Sequence, residues 1–135
     1  MRIGIVAGVF AHDVVDEMIR LAERTIRAGG HEVADVVRVP GTFDLPLPVD
    51  RLLARADVDA AVALGAIITG ETKHDEVIAH ATARSLQDVS VRRGKPVGLG
   101  ITGPGMTHSQ ARARVDAAAR AVEAVVALHA AGKQP

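Results

Sequence analysis

Apolar, β-branched runs alternate along this chain with stretches in which apolar residues recur every three or four positions, and Gly or Pro stands at most of the changeovers. This pattern predicts a βα repeat. Arg2 to Phe10 reads as a buried strand, and about Asp13 to Ala28 as a helix with Val14, Val15, Met18, Leu21, Ala22 and Ile26 on one side, ended by Gly29-Gly30. Glu32 to Val39 predicts a second strand stopped by Pro40. Leu45 to Ala54 predicts a short helix that tolerates Pro46 and Pro48 in its first turn. Asp59 to Ile68 is the expected third strand, about His74 to Arg92 the next helix and Val97 to Ile101 the fourth strand. A loop over Thr102 to Met106 then leads to a last helix from about Ser109 to Ala130.

Strands that are apolar on both faces and joined by helices require a parallel sheet covered on both sides, because each crossover returns the chain to the same end. The expected fold is a three-layer α/β/α sandwich with a four-stranded parallel sheet and a flavodoxin-like winding, residues 1–135 making one domain. Ligands of such sheets collect at the carboxyl ends of the strands. Those ends are Phe10, Gly41 to Asp44, Ile67 to His74 and Leu99 to Thr107.

Composition narrows the partners. Sixteen basic residues balance sixteen acidic ones, which leaves no field of one sign for a nucleic-acid backbone or an anionic membrane. Two Phe and no Trp or Tyr mean a core of Ala, Val, Leu and Ile, so packing against other subunits would add to the buried area. The absence of Cys removes a disulfide framework and a thiolate nucleophile, and fits a reducing compartment. The apolar run at Met1 to Val6 is too short for a signal sequence, and no stretch nears the roughly 20 apolar residues of a membrane span. A soluble, cytoplasmic protein is expected.

Thr69-Gly70-Glu71-Thr72-Lys73-His74 joins a buried strand to a helix N-terminus, where free N–H groups and the helix dipole favour an anion such as phosphate. The same residues also serve as a turn at Gly70 with Thr72 as a helix cap, and they lack the spacing of a Walker loop. His74 is the candidate for proton transfer, since imidazole is the side chain suited to it near neutral pH. His74, Asp75, Glu76 and His80 do not have metal-ligand spacing, and Glu76 with His80 reads as an i,i+4 surface pair. Phe10 and Phe43 fall at strand ends, where each either stacks on a planar ligand or, the preferred local reading, plugs the rim of the core. Asp44 either accepts from a polyol or, preferred locally, caps the helix after it. Arg112, Arg114, Asp116 and Arg120 read as paired charges on a solvated helix face, with an Arg reaching a phosphate as the alternative.

Taken together, Val39-Pro40-Gly41-Thr42-Phe43-Asp44-Leu45-Pro46 and Ala63-Leu64-Gly65-Ala66-Ile67-Ile68 followed by Thr69 to His74 resemble the two most diagnostic segments of lumazine synthases. The likeness continues through Lys95 to Ile101 and Gly103 to Thr107, covers nearly the whole chain, and is nearest to the archaeal branch. It implies a cofactor-free transferase of riboflavin biosynthesis. That enzyme condenses 5-amino-6-(D-ribitylamino)uracil with 3,4-dihydroxy-2-butanone 4-phosphate to 6,7-dimethyl-8-ribityllumazine, phosphate and water. By the same resemblance Phe10 stacks on the pyrimidine, Thr42, Phe43 and Asp44 hold it and its ribityl chain, and Ala66, Ile67 and Ile68 offer backbone contacts. Glu71, Thr72 and Arg114 match phosphate-binding positions, and His74 matches the proton-transferring histidine. Leu99 falls where bacterial members place a Phe from the neighbouring subunit, which implies a homo-oligomer built from pentamers with sites between subunits.

The chain departs from the bacterial pattern in three places. Ala11 stands for their Asn, Asp44 for their Glu, and Val115 to Ala119 for a Gly-rich stretch before the last helix, while Arg120 falls near a phosphate-side lysine. The alternatives are an archaeal-type riboflavin synthase, which shares fold and size, and a non-catalytic flavin-binding or assembly paralogue.

Overall fold

The computed structural model describes residues 1–70 and 73–133. Strands β1 (Arg2–Gly8) and β3 (Ala60–Ile68) are buried along almost their whole length, and that places them at the centre of the sheet. Strands β2 (Glu32–Val39) and β4 (Val97–Met106) carry exposed positions and lie at the edges. The order is β2-β1-β3-β4, every pair parallel.

Side-chain alternation on the strands fills two apolar layers. Ile3, Ile5 and Ala7 of β1, with Val62 and Leu64 of β3, pack under helix α1 (His12–Ala28) and helix α5 (Ala117–Ala130). Val6, Ala61 and Ala63 point the other way, against helix α2 (Pro46–Leu53) and helix α3 (His74–Arg93). The three-layer sandwich and the flavodoxin-like winding expected from the pattern are therefore present. Because α1 carries the chain from β1 outward to β2 and α2 carries it back past β1 to β3, the winding reverses between β1 and β3. A crevice opens at their carboxyl ends for that reason.

Polar contacts brace the face that carries α2 and α3. Lys95 reaches the carbonyls of Leu53, Arg55 and Val58 at 2.8–3.0 Å, satisfying groups that the end of α2 leaves open. Asp50 on α2 accepts from Arg93 and Arg92 at the far end of α3, and these two guanidinium groups hold its carboxyl down at about 2. Among the described residues no helix is long and apolar enough to cross a membrane.

Three local expectations change. The fourth strand does not stop at Ile101 but runs to Met106, with a register shift against β3 between Ala66 and Ile68. Its tip is held because Thr69 N–H donates to the Met106 carbonyl at 2.8 Å. Gly103 and Gly105, at φ of +104° and +76°, supply the left-handed backbone that this detour needs. The last helix is not continuous: helix α4 (His108–Arg112) is separated from α5 by the turn at 113–116. Thr107 begins α4 with a reciprocal cap, its hydroxyl accepting from Gln110 N–H while Gln110 accepts from Thr107 N–H. Finally, Asp44 does not cap α2. It closes a 3-10 turn over Thr42–Asp44, where its carboxylate accepts from Gly41 N–H at 2.9 Å.

Candidate functional site

Two glycines on neighbouring central strands make room for the turn that builds one wall of the crevice. A Cβ on Gly8 would stand 2.6 Å from the Gly41 carbonyl carbon and 2.7 Å from Thr42 N, and one on Gly65 would stand 2.6 Å from Thr42 Oγ1. With only hydrogen at both positions, the Gly41–Thr42 backbone lies directly on β1 and the Thr42 side chain is buried against β3. The turn then projects Phe43 outward.

The resulting cavity, of about 410 Å³, is lined by Phe10 beyond β1, Gly41 to Phe43 of the turn, Ala66 to Ile68 of β3, Gly70, and His74, Asp75 and Ile78 of α3. Its walls are mostly apolar, with a few polar groups on one side, as small-molecule sites usually are. Phe10 is 84 % exposed and Phe43 62 %, so neither plugs the rim of the core, and the preferred local reading of both is corrected. Rings that would pack inward in a closed core instead line the cavity.

Of the residues singled out in the sequence, Phe10, Thr42, Phe43, Ala66, Ile67, Ile68 and His74 share this cavity. Asp44 lies just outside it, exposed, one oxygen engaged by Gly41 N–H. Glu71 and Thr72, including the capping role considered for Thr72, lie outside the described residues. Leu99 and Arg114 are not brought to the cavity of their own chain. Leu99 is 54 % exposed on the edge strand β4, on the face opposite to Gly98 and Gly100, which turn toward α5, and lies beside Ala83, Leu86 and Gln87 of α3, not among the cavity's lining.

The arginines of the last helical region separate cleanly. Arg112 and His108 both bind Asp13 on the first turn of α1, the His108 contact at 3.0 Å. The His108 hydrogen bond, with the Arg112 charge beside it, holds the Asp13 carboxyl below its usual value. Arg120 pairs with Asp116 as its i,i+4 spacing predicts. Arg114, in the turn between α4 and α5, is exposed and makes no ion pair among the described residues. Glu76 and His80 are both exposed on α3, four positions apart as expected of a surface pair, without a hydrogen bond or ion pair between them.

Sequence reasoning missed Asp75. It passed as one of several polar residues in a rejected metal pattern, yet it is buried and lines the cavity. Its carboxylate accepts from Gly105 N–H at 3.1 Å.

Winding and site define a doubly wound α/β protein whose ligand cavity opens where the order of the parallel strands reverses. Comparison with known proteins makes the assignment specific. The family model for 6,7-dimethyl-8-ribityllumazine synthase matches residues 1–133, and the chain belongs to that family of transferases. Curated relatives bearing that name include one from Staphylothermus marinus, 52 % identical over 128 residues that cover 94 % of this chain and 85 % of its own. One from Archaeoglobus fulgidus is 48 % identical over 128 residues, 95 % and 90 % of the two chains. A third, from Halobacterium salinarum, is 46 % identical over 127 residues, 94 % and 96 % of the two chains. All three are archaeal, the branch that the sequence most resembles, and the riboflavin synthase alternative is not favoured.

Proposed function

We propose that this chain condenses 5-amino-6-(D-ribitylamino)uracil with 3,4-dihydroxy-2-butanone 4-phosphate, releasing phosphate and water to form 6,7-dimethyl-8-ribityllumazine. The observation that carries the reading is the single cavity that gathers Phe10, Thr42, Phe43, Ala66 to Ile68 and His74 at the reversal of the strand order. An exposed phenyl ring offers a stacking face for a planar pyrimidine, and the side of β3 that lies beyond its last pair with β1, Ala7 with Leu64, offers backbone groups to a ring of carbonyls and N–H groups. Asp44 has a carboxylate oxygen left over from its Gly41 contact for a ribityl hydroxyl. Glu71, Thr72 and Arg114 hold the phosphate. The amine of the pyrimidine attacks the ketone and loses water to give an imine, phosphate is eliminated, and the second amine closes the ring with loss of another water. Protons must move at each stage, and His74 is the group at the cavity suited to carry them. Since the steps are condensation and elimination, we assign the reaction no cofactor.

Residues 1–135 act as one domain in this reading, in the cytoplasm, and assemble as rings of five. Leu99 and Arg114 stand away from their own chain's cavity, which supports a site completed by a neighbouring subunit. Light scattering at assay concentration should return a mass that is a multiple of five chains. A monomer with full activity would remove the shared site.

The function itself is tested by mixing purified protein with the two substrates and following absorbance and fluorescence of the lumazine product. No turnover at saturating concentrations of both would favour the non-catalytic alternative. In the same assay Arg114→Ala should raise KM for the ketone phosphate at least about 10-fold, since a hydrogen bond to a charged group is worth about 1.5–3 kcal/mol. KM for the pyrimidine should change little. Equal effects on both substrates would point to folding or assembly instead of phosphate recognition.

A further inference from the structure

We infer that Asp75 is a positioning residue of this site, tying the first turn of α3, which carries His74, to the detour at the tip of β4. The inference rests on the function proposed above for what the tie accomplishes, though the tie itself stands on geometry alone. Asp75 is the second residue of α3 and is 7 % exposed. Aspartate is seldom buried so deeply, because a carboxylate leaving water must find donors. Here the Gly105 N–H donates to Oδ2 at 3.1 Å, and the free amides of the helix start supply a favourable field around it.

The position is built into the helix. The buried residues of α3 are Asp75, Thr82, Leu86 and Val89, one stripe along the helix, so the face that packs on the sheet brings Asp75 to the sheet's carboxyl edge. What it meets there is the segment from Gly103 to Met106, whose two glycines hold left-handed backbone and whose neighbour Met106 is bound to Thr69 N–H. Among the described residues the detour is held from below by a backbone bond on the β3 side and by the Asp75 carboxylate on the α3 side. The first secures the strand. Only the second includes the helix that bears His74.

The α3 side of the tie belongs to the cavity, which Asp75 and His74 line, and on the other side the detour leads directly into α4 and on to Arg114, the residue assigned above to a neighbouring subunit's site. A slack tie lets the first turn of α3 and the segment beyond β4 shift independently. A displacement of about 1 Å in a positioning element can cost on the order of 10² in rate. Asp75 acts through His74, not by handling a proton itself.

The test compares wild type, Asp75→Ala and Asp75→Asn. Asparagine keeps an oxygen that accepts from Gly105 N–H; alanine does not. In ligand-free protein, amide hydrogen exchange at Gly105 should quicken at least about 10-fold in Asp75→Ala and stay within about 3-fold of wild type in Asp75→Asn. In the condensation assay Asp75→Ala should lose about 10- to 100-fold in kcat with pyrimidine KM within about 2-fold, and Asp75→Asn should recover most of the loss. Unchanged Gly105 exchange in Asp75→Ala would overturn the tie whatever the protein's reaction proves to be. If exchange quickened while kcat stayed at the wild-type value, the positioning role would be overturned. An Asp75→Asn protein as slow as Asp75→Ala would overturn it equally, because the carboxylate charge, not the hydrogen bond, would then matter. Should Asp75→Ala fail to fold, the Asp75→Asn result decides alone: retained protection and rate support the tie, and loss of either overturns it. Absence of turnover in wild type would sink the proposed function while leaving the exchange result to judge the tie.

Discussion

Replacing His74 with Ala is expected to lower kcat by about 10²-fold, the low end of the 10² to 10⁴ that general acid or base catalysis supplies. The low end is expected because an amine and a ketone held together in one cavity already react, so proximity provides much of the acceleration. His74 begins α3, is exposed and lines the cavity, so it is not part of the packing of the core. Assembly and pyrimidine KM should therefore survive the substitution, and added imidazole should restore part of the rate. Measuring kcat against pH in both proteins is the decisive comparison. If the variant kept wild-type kcat and the same pH profile, His74 would be a bystander, and the catalytic assignment would fall even with the family membership intact.

Gly8→Ala is expected to damage both stability and the site. The added methyl would stand 2.6–2.8 Å from the carbonyl carbon and oxygen of Gly41 and from Thr42 N, all backbone atoms that no rotamer change can move. Relief requires the turn to lift off β1. Overpacking of this kind costs about 1–3 kcal/mol, which for a chain of this size corresponds to a fall in Tm of roughly 4–11 °C. Because the same turn carries Thr42 and Phe43, the pyrimidine KM should rise as well. Gly41→Ala is the matched control: its Cβ would meet only Asp44 Oδ2, at an ordinary 3.6 Å, and its backbone is extended. Thermal unfolding of the two variants separates steric exclusion from a general loss of glycine. Equal and small shifts in both would mean that β1 and the turn are not held in the close contact described.

The difference between these two glycines shows where the sequence was readable. Alternation of buried strands and amphipathic helices was legible because periodicity is a short-range property, and the βα order then allows few windings. The boundaries of β2 and the start of α3 at His74 followed from Pro40 and from the polar loop before the helix. Gly8 and Gly41 look alike in the sequence. Only the approach of residues far apart in the chain makes one of them irreplaceable by alanine.

The same distinction runs through the site. The sequence by itself determined the doubly wound sheet, the strand ends where a ligand must bind, and the segments that mark the lumazine synthase family. Tertiary structure alone decided that Phe10 and Phe43 face the cavity and not the core, since their local patterns are those of ordinary rim residues. It decided that Asp13 takes Arg112 while Arg114 remains unpaired among the described residues, a choice made by a carboxylate about a hundred positions away in the chain. It also decided that β4 runs to Met106 and that Asp75 is buried beneath the detour, because the partners are Thr69 N–H and Gly105 N–H on other elements. Local spacing states which face a residue occupies, but the worth of a polar group depends on the donor or acceptor it meets there, and that partner is supplied only when the chain closes on itself.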